Sequence, residues 1–91
     1  MIWHCYVIFN KKINAFERPV ITFHEKDEFV EVLKRDYHAS DVNNQAKLRD
    51  NICYYVGSYD DNSAKFNLVD NKELLIDLAV LEKPVEDKID G

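Results

Sequence analysis

The side chains able to do chemistry are few and scattered. His4, His24 and His38 fall in no H-x-x-x-H spacing, and neither Cys5 nor Cys53 stands in a CxxC or Cys/His ligand pattern, so the sequence holds no metal-site signature. His4 and Cys5 are neighbours on an expected strand, where successive side chains point to opposite faces, which rules out a Cys-His nucleophile from that pair. Asp60 and Asp61 could form a carboxylate pair or a cation site, but the stretch Asp60-Asp61-Asn62-Ser63 is made of turn residues. Gly57 and Gly91 are the only glycines, which excludes a phosphate-cradling Gly-rich loop. The expectation is a protein with no enzymatic activity, no cofactor and no metal.

What the sequence does offer is aromatic surface with cations near it. Trp3, Tyr6, Tyr54, Tyr55 and Tyr59 could stack unpaired bases while Lys11, Lys12 and Arg18 hold phosphates, as single-strand binders do without reading sequence. The same aromatics would serve equally as core or homodimer contacts. A net charge of −5 weakens non-specific attraction to phosphate, since that attraction comes from Lys and Arg displacing counterions. Residues 1–24, however, set Lys11, Lys12 and Arg18 against Glu17 alone, a basic hairpin on an acidic body.

These residues need elements to position them. Ile2 to Phe9 is β-branched and aromatic, Asn10-Lys11-Lys12 breaks it, and a second run follows from Ile13 to Thr22, so a hairpin is expected. Pro19 lacks a ladder donor and sets the second strand at a sheet edge or bends it there. Thr22 and Glu25 have capping-box spacing, with Phe29, Val30, Leu33 and Tyr37 at helical period, which predicts a helix from about Phe23 to His38. Ala39 to Asn51 reads as a loop with at most one short turn of helix. A second strand pair, Ile52 to Tyr59 and Lys65 to Val69, is followed by a second helix capped by Asp70 and Glu73 and running through about Glu82, with Pro84 ending it.

Cys5-Tyr6 and Cys53-Tyr54 open similar halves, which suggests β-β-α twice: an α+β fold with a four-stranded antiparallel sheet and both helices on one face. On the first strand His4 shares a face with Ile2, Tyr6 and Ile8, and Trp3, Cys5, Val7 and Phe9 share the other. Strict alternation then sets Tyr54 and Val56 against Cys53, Tyr55 and Tyr59 on the strand from Ile52. Both faces are apolar, and the helices can cover only one. The expected second helix is apolar all round, which points to a homodimer through Leu75, Ile76, Ala79 and Val80.

With 91 residues, 46% hydrophobic and 32% charged, the chain suits one domain over residues 1–82, with 83–91 an acidic, disordered tail. No apolar run approaches the ~20 residues of a membrane-spanning helix, and two cysteines are too few for a secreted disulfide scaffold, so a reduced cytoplasmic setting is expected.

The order of landmarks resembles the small nonstructural protein of gokushovirus-type microviruses, bacteriophages with single-stranded DNA genomes. The likeness runs over Tyr6-Val7-Ile8-Phe9-Asn10, Pro19-Val20, Gly57-Ser58-Tyr59-Asp60-Asp61 and Leu74 to Ala79. Two features depart from the family: Ala64 stands where a turn glycine is usual, and no His-Pro acidic stretch precedes Ile52. The resemblance implies a protein of the host cell cytoplasm that assists single-stranded DNA synthesis or packaging, with that DNA or the phage replication complex as partner. The rival reading is an acidic inhibitor or adaptor acting on a host protein, such as a nuclease or defence factor. It would present Glu25, Asp27, Glu28, Glu31, Asp60 and Asp61 where phosphates would lie.

Overall fold

The computed structural model describes residues 1–82; the expected disordered tail, 83–91, lies outside them. The first apolar run forms β1 (Ile2–Asn10), and the second is split into β2 (Ala15–Phe16) and β3 (Val20–Thr22). Both pair antiparallel with the same side of β1, β2 at Phe9 and Asn10 and β3 at His4 to Tyr6. They share one edge position that is interrupted just before Val20, where Pro19 has no N–H to give the ladder. β4 (Asn51–Asp60) pairs with the other side of β1, and β5 (Lys65–Asp77) pairs with β4 and closes the far edge. Five strands thus fill four positions of an antiparallel sheet. Two helices, α1 (Lys26–Ala39) and α2 (Val42–Leu48), come between β3 and β4 and make the fold α+β.

The two hairpins are built alike, as the repeat suggests. Asn10 pairs with Ala15 and Asp60 with Lys65 across four-residue loops. In each, the Asx side chain accepts a backbone N–H two residues on, from Lys12 and Asn62 respectively. In each, the last loop residue turns left-handed: Asn14 at φ 55° and Ala64 at φ 54°. Asn tolerates that region and Ala does not. Ala64→Gly should therefore raise stability by about 0.5–1 kcal/mol, measured as the urea midpoint.

α1 begins three residues later than its sequence signal. The Thr22 hydroxyl accepts the N–H of His24 at 3.3 Å in the connection, while the cap is Glu25, whose N–H donates to the Glu28 carboxylate at 3.2 Å. Phe29 and Tyr37 on its inward stripe are buried, and Val30 and Leu33 pack beside Phe29. The polar stretch after α1 forms a second helix rather than a loop. Asp41 caps α2 by accepting the N–H of Asn44 at 2.8 Å, and Gln45 and Arg49 donate to the Tyr37 carbonyl and hydroxyl.

The expected helix from Asp70 to Glu82 is not formed. β5 continues through Asp77, and only Leu78–Glu82 turns, as a 3-10 helix. Residues 65–68 reach no further along β4 than Gly57, so the polar edge of Ile52 to Tyr55 would stay open without residues 73–77. A single short helix is marginal by itself, and the pairing instead buries Ile76 opposite Cys53 and seats Leu78 in the core. The register changes at Val56, which faces the four residues 69–72 of β5.

Gly57 sits at that irregularity with φ +149°, and a Cβ there would lie 2.5 Å from the Asn67 carbonyl oxygen and 2.9 Å from Leu68 Cα. Both obstacles are backbone. Gly57→Ala should cost about 2–3 kcal/mol, read from denaturant unfolding.

Candidate functional site: the open face of the sheet

Cross-strand partners share a face, so the pairing sorts the sheet into two sides. One carries His4, Tyr6 and Ile8 with Cys53, Tyr55, Glu73 and Ile76, and α1 covers it. Tyr6 lies at its centre, fully buried, stacked on Phe29 at 4.1 Å and donating to the His24 carbonyl at 2.6 Å. At the margin His4 Nδ1 lies 3.0 Å from the Tyr55 hydroxyl, and Lys26 pairs with Glu73 at 3.0 Å, which raises the Lys26 pKa.

The other side is made of four rungs. Trp3 pairs with Tyr59 and Tyr59 with Phe66, and Phe23 lies against Trp3 at 3.9 Å. Ile21, Cys5, Gly57 and Leu68 form the next rung, then Val7, Tyr54 and Leu74, then Phe16, Phe9, Ile52 and, at the margin, Asp77. No described helix covers this face. Leu68 is 71% exposed, Phe66 61%, Ile21 60% and Leu74 55%, with Phe16 and Phe23 half exposed. Contiguous apolar surface of this kind marks an interaction site in a small domain.

The structure divides the expected DNA-binding residues. Trp3, Tyr54 and Tyr59 share the open face, but Tyr6 and Tyr55 are core residues with no ring face left for a base. Tyr59 joins Tyr54 rather than Tyr55 because the irregularity at Val56 reverses the alternation along β4. The expected cations are engaged away from the rings: Lys11 is bound at 2.8 Å to Asp77 at the Ile52 margin of the face, Lys12 lines a groove with Glu17, Ser40 and Lys47, and Arg18 lines one with Ile8, Glu17 and Val20. The cation on the rings is Lys72, its Nζ 5.3 Å from the Tyr54 ring centre and 5.7 Å from that of Phe16. The structure adds Phe16, Phe23, Phe66, Leu68 and Lys72 to this face; the alternation of Phe66 and Leu68 about Asn67 is the sequence signal for two of them.

The expected dimer contact also dissolves with its helix. Ile76 is buried opposite Cys53, Leu75 packs on the core and Ala79 is half-buried, leaving Val80 as the exposed member, 55% accessible. Of the acids, Glu31 pairs with Lys34, and Asp61 accepts the N-terminal ammonium at 3.0 Å and the Trp3 indole N–H at 3.1 Å. Those two bonds, with the terminal charge, hold Asp61 below the usual carboxylate range. Asp77 is also lowered: burial opposes its charge, but Lys11 and the Ala79 N–H outweigh it.

Cys5 and Cys53 are free, buried and on opposite faces. Burial raises both thiols, Cys53 from 9.0 to about 12, and burial followed by neighbouring Tyr55, Cys53 and glutamates raises the Tyr6 hydroxyl. The folded state then keeps protons that the unfolded chain gives up. This stabilisation is complete below about pH 9 and is lost as pH rises from there toward 12, so the urea midpoint should fall between about pH 8 and about pH 10.5. An unchanged midpoint would contradict the burial of these groups.

Among the described residues no cluster of three or more His, Cys, Asp or Glu could hold a metal, and no helix is long and apolar enough to cross a membrane. Five concavities on the described surface are open grooves of 370–560 Å³. Comparison with protein-family models, with curated proteins and with solved structures finds no match to the chain.

Proposed function

We propose that the protein is a non-catalytic binding module that engages a protein surface through the open face of its sheet. The observation that carries this reading is the run of half-exposed or more exposed Phe23, Ile21, Phe66, Leu68, Leu74 and Phe16 across neighbouring rungs. Such a face gains free energy by excluding water, roughly 25 cal/mol for each Å² covered, and needs no charge to do so. The adaptor reading thus moves from the scattered acids to the sheet. Two free thiols suit a reducing compartment such as a host cytoplasm.

A second reading, assistance to single-stranded DNA as the microvirus resemblance implies, is favoured by Lys72 over Tyr54 and Phe16 and by the Trp3, Tyr59, Phe66 rung, which offers bases flat rings. It is weaker because Lys11 is neutralised by Asp77 and the chain is acidic. Anisotropy of a labelled oligothymidylate decides between them. The protein-binding reading predicts no saturable binding near about 0.15 M salt. Saturable binding that weakens steeply with salt and is lost in Lys72→Glu would overturn it in favour of DNA.

A further inference from the structure

We infer that the surface covering the open face is that of a second copy of this chain, laid face to face with its strands antiparallel to those of the first. The inference rests on the protein-docking reading above and names the occupant.

Area comes first. Six apolar side chains exposed by half or more, each of about 150–250 Å² when aromatic and somewhat less when aliphatic, present on the order of 700 Å², close to the ~800 Å² that each partner gives a standard interface. Sheets can meet in this way with their strands aligned to within about 30° and their faces about 10 Å apart.

Charge then sets the direction. The two ends of the face differ in charge: Lys72 lies over Tyr54, which pairs with Val7, near the closed Lys11–Asp77 pair, and at the other end Asp61 holds both the indole N–H of Trp3 and the N-terminal ammonium. Val7 and Trp3 are four residues apart on β1, about 13 Å at 3.3 Å per residue. A two-fold axis along the strands would bring Lys72 onto Lys72. An axis across the strands parts the two lysines and brings Lys72 of each copy toward the Trp3 and Tyr59 rings and the Asp61 carboxylate at the far end of the other, twice by symmetry.

Sedimentation velocity across low to high micromolar concentration tests this, with circular dichroism confirming that each variant is folded. The wild type should dimerise, Leu68→Asp should weaken dimerisation by roughly 30-fold or more, and Lys72→Glu should weaken it less. Asp61→Lys combined with Lys72→Glu should dimerise better than Lys72→Glu alone. A wild type that remains monomeric at high micromolar concentration overturns the second copy as occupant and leaves the docking face standing. A dimer indifferent to Leu68→Asp overturns both. A double variant no better than Lys72→Glu overturns the antiparallel arrangement.

Discussion

Tyr6→Ala should abolish the folded state at moderate temperature, the largest effect expected of any single substitution. Tyr6 has no exposed surface, its ring is stacked on Phe29 at an interplanar angle of 14°, and Tyr55 stands 5.4 Å away. Removing a buried aromatic costs about 3–5 kcal/mol through lost transfer energy and the cavity left behind. Total stability for a domain is only about 5–15 kcal/mol, with small domains at the low end. The neighbours cannot close the gap, since Phe29 is fixed on α1 and Tyr55 in the ladder of β4. Tyr6→Phe separates packing from polarity: it keeps the ring and strips the His24 carbonyl of its 2.6 Å bond, so a loss of about 1–3 kcal/mol is expected. Urea unfolding followed by far-UV circular dichroism reads both. A Tyr6→Ala protein with wild-type stability would mean that the core is centred elsewhere.

The second large effect should leave stability almost untouched. Phe66→Asp together with Leu68→Asp should abolish association while the unfolding free energy stays within about 0.5 kcal/mol of wild type, as for surface positions generally. Phe66 and Leu68 are 61% and 71% exposed and face away from α1, so charges there remain in water in the free protein. When the face is covered, each carboxylate must shed its water against Tyr59, Ile21 and their partners, at a cost of several kcal/mol per ion without compensation. The loss should exceed roughly 100-fold in the association constant, measured by sedimentation. Unchanged association with intact fold would remove the open face from the account.

Parts of this were readable in the residues alone. The β1 hairpin, its interruption before Val20 and the inward stripe of α1 follow from local signals that agree with one another: alternation, a missing N–H and helical period. Alternation correctly groups Trp3 with Cys5, Val7 and Phe9 on one side of β1, but it does not tell which side the helix covers, so Trp3 and Tyr6 stand together as candidates although they lie on opposite faces. Residues 70–82 were not readable, because a capping signature and the apolar run Leu74 to Leu81 are local, whereas the reason for extension is the unpaired edge of β4 far away in sequence. Strict alternation puts Tyr55 and Tyr59 on one face and the structure separates them for a related reason: the irregularity at Val56 adjoins the close backbone approach at Gly57, and no residue type announces it. The cations Lys11 and Lys12 sit in a favourable sequence neighbourhood of the aromatics, yet the pairing of Lys11 with Asp77 joins residues 66 apart.

Trp3, the only tryptophan, lies on the open face beside Phe23 and reports on whatever covers it. The most direct measurement is therefore its emission maximum and acrylamide quenching from dilute to concentrated protein, at low and high salt. Burial against an apolar partner surface predicts a blue shift and falling quenching as complex forms, with little dependence on salt. Complex formation shown by sedimentation while Trp3 emission and quenching stay constant would contradict the claim that this face is the one the protein uses.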